Sequence, residues 1–308
     1  MKLANNGLGQ ELVKNRTLFF MIAPAVLFVF ILQYVPMVGL VLAFKNYRFD
    51  RGIFGSAWNG LENFRFLFVS GDGFRITRNT FLYNLLNLIT SQVLAVFIAI
   101  AISEMPGKGY KKFCQSVIFL PYFISWVIVG TFVFNIFNYE TGVLNNVLKA
   151  LGSEPVNVYD KPAVWPFIIS SFNAWKWCGY NSVIYIAAIT AIDGECFEAA
   201  DIDGANIFQK IWHITFPSIR PTIITMLLLQ VGRILRGDFE MFYQIVGNTG
   251  QLFNATDVID TYVFRSLMTS VNIGMTAAAS LYQSVLCFVI IVMVNHIVKK
   301  VEADYALF

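Results

Sequence analysis

The sequence predicts an all-α, polytopic membrane protein with six transmembrane helices, on three observations. The first is composition: 57% of the 308 residues are hydrophobic and 13% are charged, where soluble domains carry roughly 25% charged residues. The second is length. Six apolar segments reach the roughly 20 residues that a helix needs to cross about 30 Å of hydrocarbon. The third is pattern. No stretch alternates as a membrane barrel strand would, and a helix satisfies its own backbone in lipid.

The segments run in order. Residues 19–44 exceed a signal-peptide core of about 7–15 residues and carry Pro24 and Pro36, so they read as a retained span. A polar loop, 45–80, separates them from the second span, 81–102. The third, 117–137, follows a basic stretch at Lys108, Lys111 and Lys112. The fourth, 165–192, holds Asn173, Trp175, Lys176, Trp177, Tyr180 and Asn181. The fifth, 222–246, holds Gln230, Arg233, Arg236, Asp238, Glu240, Tyr243 and Gln244, and Gly237 beside Asp238 suggests a kink or interruption. The sixth is 276–298. An even number of spans puts both termini on one side. Lys and Arg divide almost evenly between the two sides, so the positive-inside rule does not orient the chain. No linker or low-complexity tract interrupts residues 1–308, which read as a single domain.

Between the fourth and fifth spans lies a polar island, 195–221. Residues 195–202 are helix formers with Glu195 in the first turn, where the helix dipole favours it, and no Ser or Asp cap is read ahead of them. Gly204 tolerates positive φ and breaks that helix. Asn206 is suited to cap a second short helix through His213, which Pro217 and Pro221 end as the next span begins. Ala199, Ala200 and Ala205 leave room for another backbone. On pattern alone, an ordinary interhelical loop with two amphipathic turns remains an alternative.

Several chemistries have no foundation here. There is no G-x-x-x-x-G-K-[ST] loop to cradle ATP, no H-E-x-x-H, no G-x-S-x-G and no cluster with metal-ligand spacing. Cys114, Cys178, Cys196 and Cys287 are scattered, and His213 and His296 are far apart. A net charge of +3 is no nucleic-acid signature. No catalytic residue and no metal site is expected.

The island Glu198-Ala199-Ala200-Asp201-Ile202-Asp203-Gly204-Ala205, running on to Ile214-Thr215-Phe216-Pro217, is similar to the EAA loop of ABC importer permeases. It departs from the pattern at Phe216, where Leu is usual. Nearly the whole chain resembles the oligosaccharide and polysaccharide branch of that family. The segments that carry this are Gln33-Tyr34-Val35-Pro36-Met37, Leu61-Glu62-Asn63-Phe64, Ser70-Gly71-Asp72, the run from Leu120 to Trp126, Trp175-Lys176, Gly179-Tyr180, Gly232-Arg233-Ile234, Asp238-Phe239, the run from Thr256 to Tyr262, and Ala306-Leu307-Phe308.

The resemblance implies a type I ABC importer fold in the bacterial cell membrane, with both termini cytoplasmic. It implies a second homologous permease, two ATPase subunits that carry the ATP and magnesium, an extracytoplasmic binding protein and an oligosaccharide substrate. The chain itself would bind no cofactor. Glu198, Ala199, Ala200, Asp203, Gly204, Ala205, Ile207, Phe208, Ile214 and Pro217 would couple it to the ATPase.

Sugars present apolar ring faces and dense hydroxyls, which aromatic rings and polar side chains bind. The substrate pathway therefore falls to Asn173, Trp175, Lys176, Tyr180, Gln230, Arg233, Arg236, Asp238, Glu240 and Tyr243. On a continuous helix Arg233, Arg236 and Glu240 share a face. Ion pairing, bracing of a partner, snorkelling of Lys176 and interface anchoring by the Trp residues stand as alternatives. Glu62, Asp72, Asp257 and Asp260 could dock the binding protein or simply face solvent. The rival functions are a stand-alone secondary transporter and a membrane-embedded glycan or lipid transferase.

Overall fold

The computed structural model describes residues 14–69, 71–270 and 272–301. Ser70 and Ala306-Leu307-Phe308, which entered the sequence reading, lie outside them. The chain gathers into two compact units.

The first unit comprises residues up to Arg65 together with Asn272–Leu281. It opens with α1 (Arg16–Val29), apolar on every face and with no buried residue. The helix continues as a π turn, Phe30–Tyr34, and a 3-10 stretch, Val35–Phe44, with Pro36 at its start, where a missing N–H leaves no bond unmade. The carbonyls at its end are orphans by construction. Asn63 satisfies them, its amide donating to Leu42, Ala43 and Lys45 carbonyls at 3.3, 3.0 and 2.9 Å. Asn63 belongs to α3 (Glu62–Val69). Between lie β1 (Lys45–Asn46) and β2 (Ala57–Trp58), an antiparallel pair around the single turn α2 (Gly52–Gly55). The buried Lys45 ammonium closes α2 on the carbonyls of Ile53 and Phe54, both at 3.0 Å. The expected loop 45–80 is thus largely ordered structure.

The second unit is built on α4 (Asp72–Glu104) and α8 (Trp165–Thr190). They pack along their length because small residues let them approach. Ala95 and Ala99 of α4 are fully buried beside Tyr185 and Ile189 of α8. Between them in the chain come α5 (Lys108–Phe119), a 3-10 turn Leu120–Phe123, α6 (Trp126–Phe137) and α7 (Val143–Ala150). After α8 come α9 (Gly194–Ile202), α10 (Ile207–Lys210), a π turn Ile211–Thr215 and α11 (Phe216–Val231). Then follow α12 (Phe239–Val246), α13 (Phe253–Thr256), α14 (Ile259–Ser270) and α15 (Ile273–Val301), whose first turns belong to the other unit. Two glycines set close approaches. A Cβ at Gly130 of α6 would collide with the Gln244 carbonyl of α12, and one at Gly179 of α8 with the Ile118 carbonyl of α5.

All six expected spans are helical, with two corrections. The third is bent by 91° between Lys108–Phe123 and Trp126–Phe137. Pro121 removes a backbone donor there and ends the helix. The fifth does not run from 222 to 246. Its apolar helix is Ile207–Val231, and the chain leaves helical geometry at 232–238. Among the described residues four helices are long and apolar enough to cross a membrane, or five if the bent pair is one span. The 26-residue α8 is long enough, but its lysine and amides make it too polar to count among them.

Candidate functional site

Segment 193–217 is two short helices closed by their own neighbours. Asp193 caps α9, its carboxylate accepting the Glu195 N–H at 3.1 Å, which supplies the cap that sequence reading did not find. Gly204 ends α9 at φ +73°, with the Ala205 N–H returning to the Ala200 carbonyl at 2.9 Å. Asn206 and Gln209 form a reciprocal capping box at 3.0 and 2.7 Å. Lys210 pairs with Asp201 and so ties α10 to α9. Pro217 and Pro221 do not end the second helix. The chain passes through the π turn straight into α11, with Pro217 in its first turn, where a proline loses little, and Pro221 inside it. Glu198, Ala199, Asp203 and Gly204 are exposed. So are apolar Ile202 and Phe208, at 87% and 78%, with Trp212 at 67% stacked on Phe216.

The second assembly forms where two helices break. At the 120–125 break, Lys176 of α8 is 6% exposed, and its ammonium donates to the carbonyls of Tyr122, at 3.1 Å, and Ile124. The same ammonium lies 5.2 Å from the Trp126 ring centroid, within cation–π range. The Trp126 indole N–H donates to Asp238 Oδ2 at 3.0 Å, while Asp238 Oδ1 caps α12 by accepting the Met241 N–H at 3.1 Å.

At the 232–238 break four freed backbone groups have side-chain partners. Asn84 Nδ2 donates to the carbonyls of Ile234 and Arg236 at 2.8 and 3.1 Å. Gln283 donates to the Leu235 carbonyl. Asp260 accepts the Gly237 N–H at 2.8 Å, and a Cβ at Gly237 would collide with that carboxylate. Irregular backbone at membrane depth is tolerated where it is satisfied in this way or borders a wet cavity.

Here it does both. A cavity of about 630 Å³ is lined by Asn84, Asn87, Leu88 and Ser91 of α4, Asn173, Trp177 and Asn181 of α8, and Leu229, Gln230, Arg233, Ile234, Arg236 and Asp238 at the break. Asn87 Oδ1 is buried without a hydrogen-bond partner among the described residues.

The structure sorts the sequence candidates. Asn173, Gln230, Arg233, Arg236 and Asp238 line the cavity together. Lys176 does not; it braces the 120–125 break. Tyr180 stacks on Tyr122 with centroids 4.4 Å apart, and Trp175 lines a separate apolar hollow with Phe167 and Leu94. Glu240 is exposed in the first turn of α12, and Tyr243 lines a smaller cavity of about 180 Å³ beside Arg265. The shared helical face of Arg233, Arg236 and Glu240 does not exist, because the two arginines lie in the break. Asp257 and Asp260 are not free outer carboxylates. Asp257 is buried against Arg265 and Thr261, and Asp260 supports the break. Sequence reading missed Asn84, Asn87 and Ser91. Their spacing of three and four residues, a polar stripe in an apolar helix, was the available signal.

Among the described residues no group of three or more His, Cys, Asp or Glu could hold a metal. Residues 2–303 match the family described as "Binding-protein-dependent transport system inner membrane component". Protein LplB of Bacillus subtilis (strain 168) is 33% identical over 95% of this chain and 92% of its own length. The polygalacturonan/rhamnogalacturonan transport system permease protein YteP of the same organism is 31% identical, over 94% of this chain and 90% of its own. A chain in the crystal structure of a bacterial alginate ABC transporter, in complex with alginate pentasaccharide-bound periplasmic protein, superposes with a TM-score of 0.85. It is 33% identical, over 96% of this chain and 98% of that one. The fold that the resemblance implied is therefore the observed one, a helical polytopic permease of the type I ABC importer kind. The chain belongs to the inner membrane components of binding-protein-dependent transport systems, as a permease component.

Proposed function

We propose that residues 1–308 form one permease domain that passes oligosaccharides, delivered by an extracytoplasmic binding protein, through the cavity at the 232–238 break. The observation that carries this is the lining itself. Asn87, Asn173, Asn181 and Gln230 offer donors and acceptors to hydroxyls, and Trp177 offers a face to a sugar ring. The unpartnered Asn87 acceptor is suited to a ligand hydroxyl or water. Relatives that handle polygalacturonan and arabinooligosaccharides support the same ligand class.

Movement would come from partner ATPases, which carry ATP and magnesium, with a second homologous permease completing the membrane part. Segment 195–221 would be the docking element. Its exposed Ile202, Phe208 and Trp212 would enter a groove on an ATPase subunit, while Glu198 and Gly204 keep the two helices in register. Both termini would then be cytoplasmic. A cysteine introduced at Lys108 should resist a membrane-impermeant thiol reagent in intact cells, and labelling there would overturn the topology.

The test of the pathway is Asn87→Leu in the reconstituted importer. Uptake of the delivered oligosaccharide should fall while assembly and ATPase attachment stay normal. Unchanged uptake would remove the cavity from the route.

A further inference from the structure

The charged groups around the cavity are committed differently. Both carboxylate oxygens of Asp238 are taken, one by the Met241 N–H and the other by the Trp126 indole. Asp260, behind the break, is taken by the Gly237 N–H and by Gln283 at 3.0 Å. Arg233 and Arg236 are exposed, line the cavity, and make no salt bridge or side-chain hydrogen bond among the described residues. Arg236 feels Asp260 only at longer range. The backbone that carries Arg236 is fixed, because Asn84 holds the carbonyls of Ile234 and Arg236 and Gln283 holds that of Leu235.

A guanidinium does not shed its proton, and at membrane depth its charge calls for compensation. It presents a planar fork of donors that matches a carboxylate bidentately, which an ammonium does not. The lining holds two such forks against one carboxylate, Asp238, whose oxygens are taken by neutral donors, so its charged groups sum to a net positive wall. Neutral amides opposite suit hydroxyls but do not distinguish an acidic sugar from a neutral one.

We infer that this cavity selects anionic oligosaccharides, chains that carry uronate carboxylates, over neutral ones, and that Arg233 and Arg236 are the specificity-determining residues. The inference rests on the cavity being the sugar route.

The test uses the full importer in detergent without its binding protein, so that the permease cavity alone is probed. The probes are radiolabelled trigalacturonate and its carboxyl-reduced, neutral counterpart, measured by equilibrium dialysis. The acidic trimer should bind at least about tenfold more tightly, as expected for one charge-assisted contact or more. Raising salt should weaken the acidic trimer alone. The double variant Arg233→Gln with Arg236→Gln should lose roughly 10- to 100-fold for the acidic trimer and distinctly less for the neutral one.

Equal binding of the two trimers, or equal loss of both in the double variant, overturns the anionic selectivity and leaves the oligosaccharide pathway standing. Retention of neither trimer sinks the pathway and the selectivity with it. If the double variant does not assemble, the unaltered complex decides. A salt-sensitive preference for the acidic trimer upholds the inference, and no preference overturns it.

Discussion

Segment 193–217 and the turn 232–238 both interrupt a helical path, and they are closed in opposite ways. In the first, the partners are close in sequence. Asp193 serves Glu195, Asn206 serves Gln209, and Lys210 reaches back nine residues to Asp201. In the second, the side chains that hold the turn's carbonyls and its aspartate come from far along the chain. Asn84 holds Ile234 and Arg236, Gln283 holds Leu235, and Trp126 holds Asp238. Water is available to the first, so its exposed ends need only short-range caps. Ile234 and Leu235 of the second are buried, and a carbonyl closed off from water needs a donor from another helix. A locally closed element is able to shift as a body. A break pinned from α4, α6, α14 and α15 keeps its shape only while those helices stay together, which suits the wall of a cavity.

The sharpest way to break this contrast is Lys176→Met. The carbonyls of Tyr122 and Ile124 would lose their donor, and Trp126 its cation. A buried unsatisfied acceptor costs about 1–3 kcal/mol, so about 3 kcal/mol of stability should go. A lowered melting temperature of the purified complex would report it. Unchanged melting together with lost sugar binding would instead return Lys176 to the ligand site.

Next is Gly204→Val on the local side. At φ +73° a β-branched residue is strained by about 1–3 kcal/mol, although the space around a Cβ is open. The two short helices should lose register, so ATPase co-purification and uptake should drop while the membrane-spanning part melts as before. Normal uptake would detach this turn from coupling.

Asn84→Leu tests the distant pinning with a smaller effect. Two carbonyls lose their donor, but the adjoining cavity admits water, so a loss of about 1–2 kcal/mol is expected. The more telling readout is the cavity. With the turn released, oligosaccharide affinity should fall further than stability does, and equal small losses in both would show that Asn84 does not shape the wall.

The same contrast explains what was legible in the sequence. Gly204 and Asn206 announce themselves, because a positive-φ glycine and a capping box act over three or four residues. The interruption near Gly237 was also visible in its neighbours. What holds the interruption was not, since nothing in the sequence near Arg236 points to Asn84, 152 positions away. The helical-face argument for Arg233, Arg236 and Glu240 failed for that reason. It assumed a continuous helix, and the tertiary partners that make a break affordable lie elsewhere. Lys176 was read as ligand-facing or snorkelling on the same ground, because its carbonyl partners lie more than 50 residues upstream.

The smallest effect closes the comparison. Asn206→Ala removes one half of a capping box whose other half, Gln209, remains. Loss of such a cap typically costs about 1 kcal/mol, and here water replaces part of it because the site is exposed. The expected consequence is faster amide hydrogen exchange in α10, with α9 still held by Asp193 and by the turn at Gly204. Lys210 and Asp201 join the two helices, so a purely local defect should stop at that ion pair. Exchange that accelerates equally through α9 and α10 would show that they open as one unit. Acceleration confined to α10 would mean that each helix is closed by its own ends.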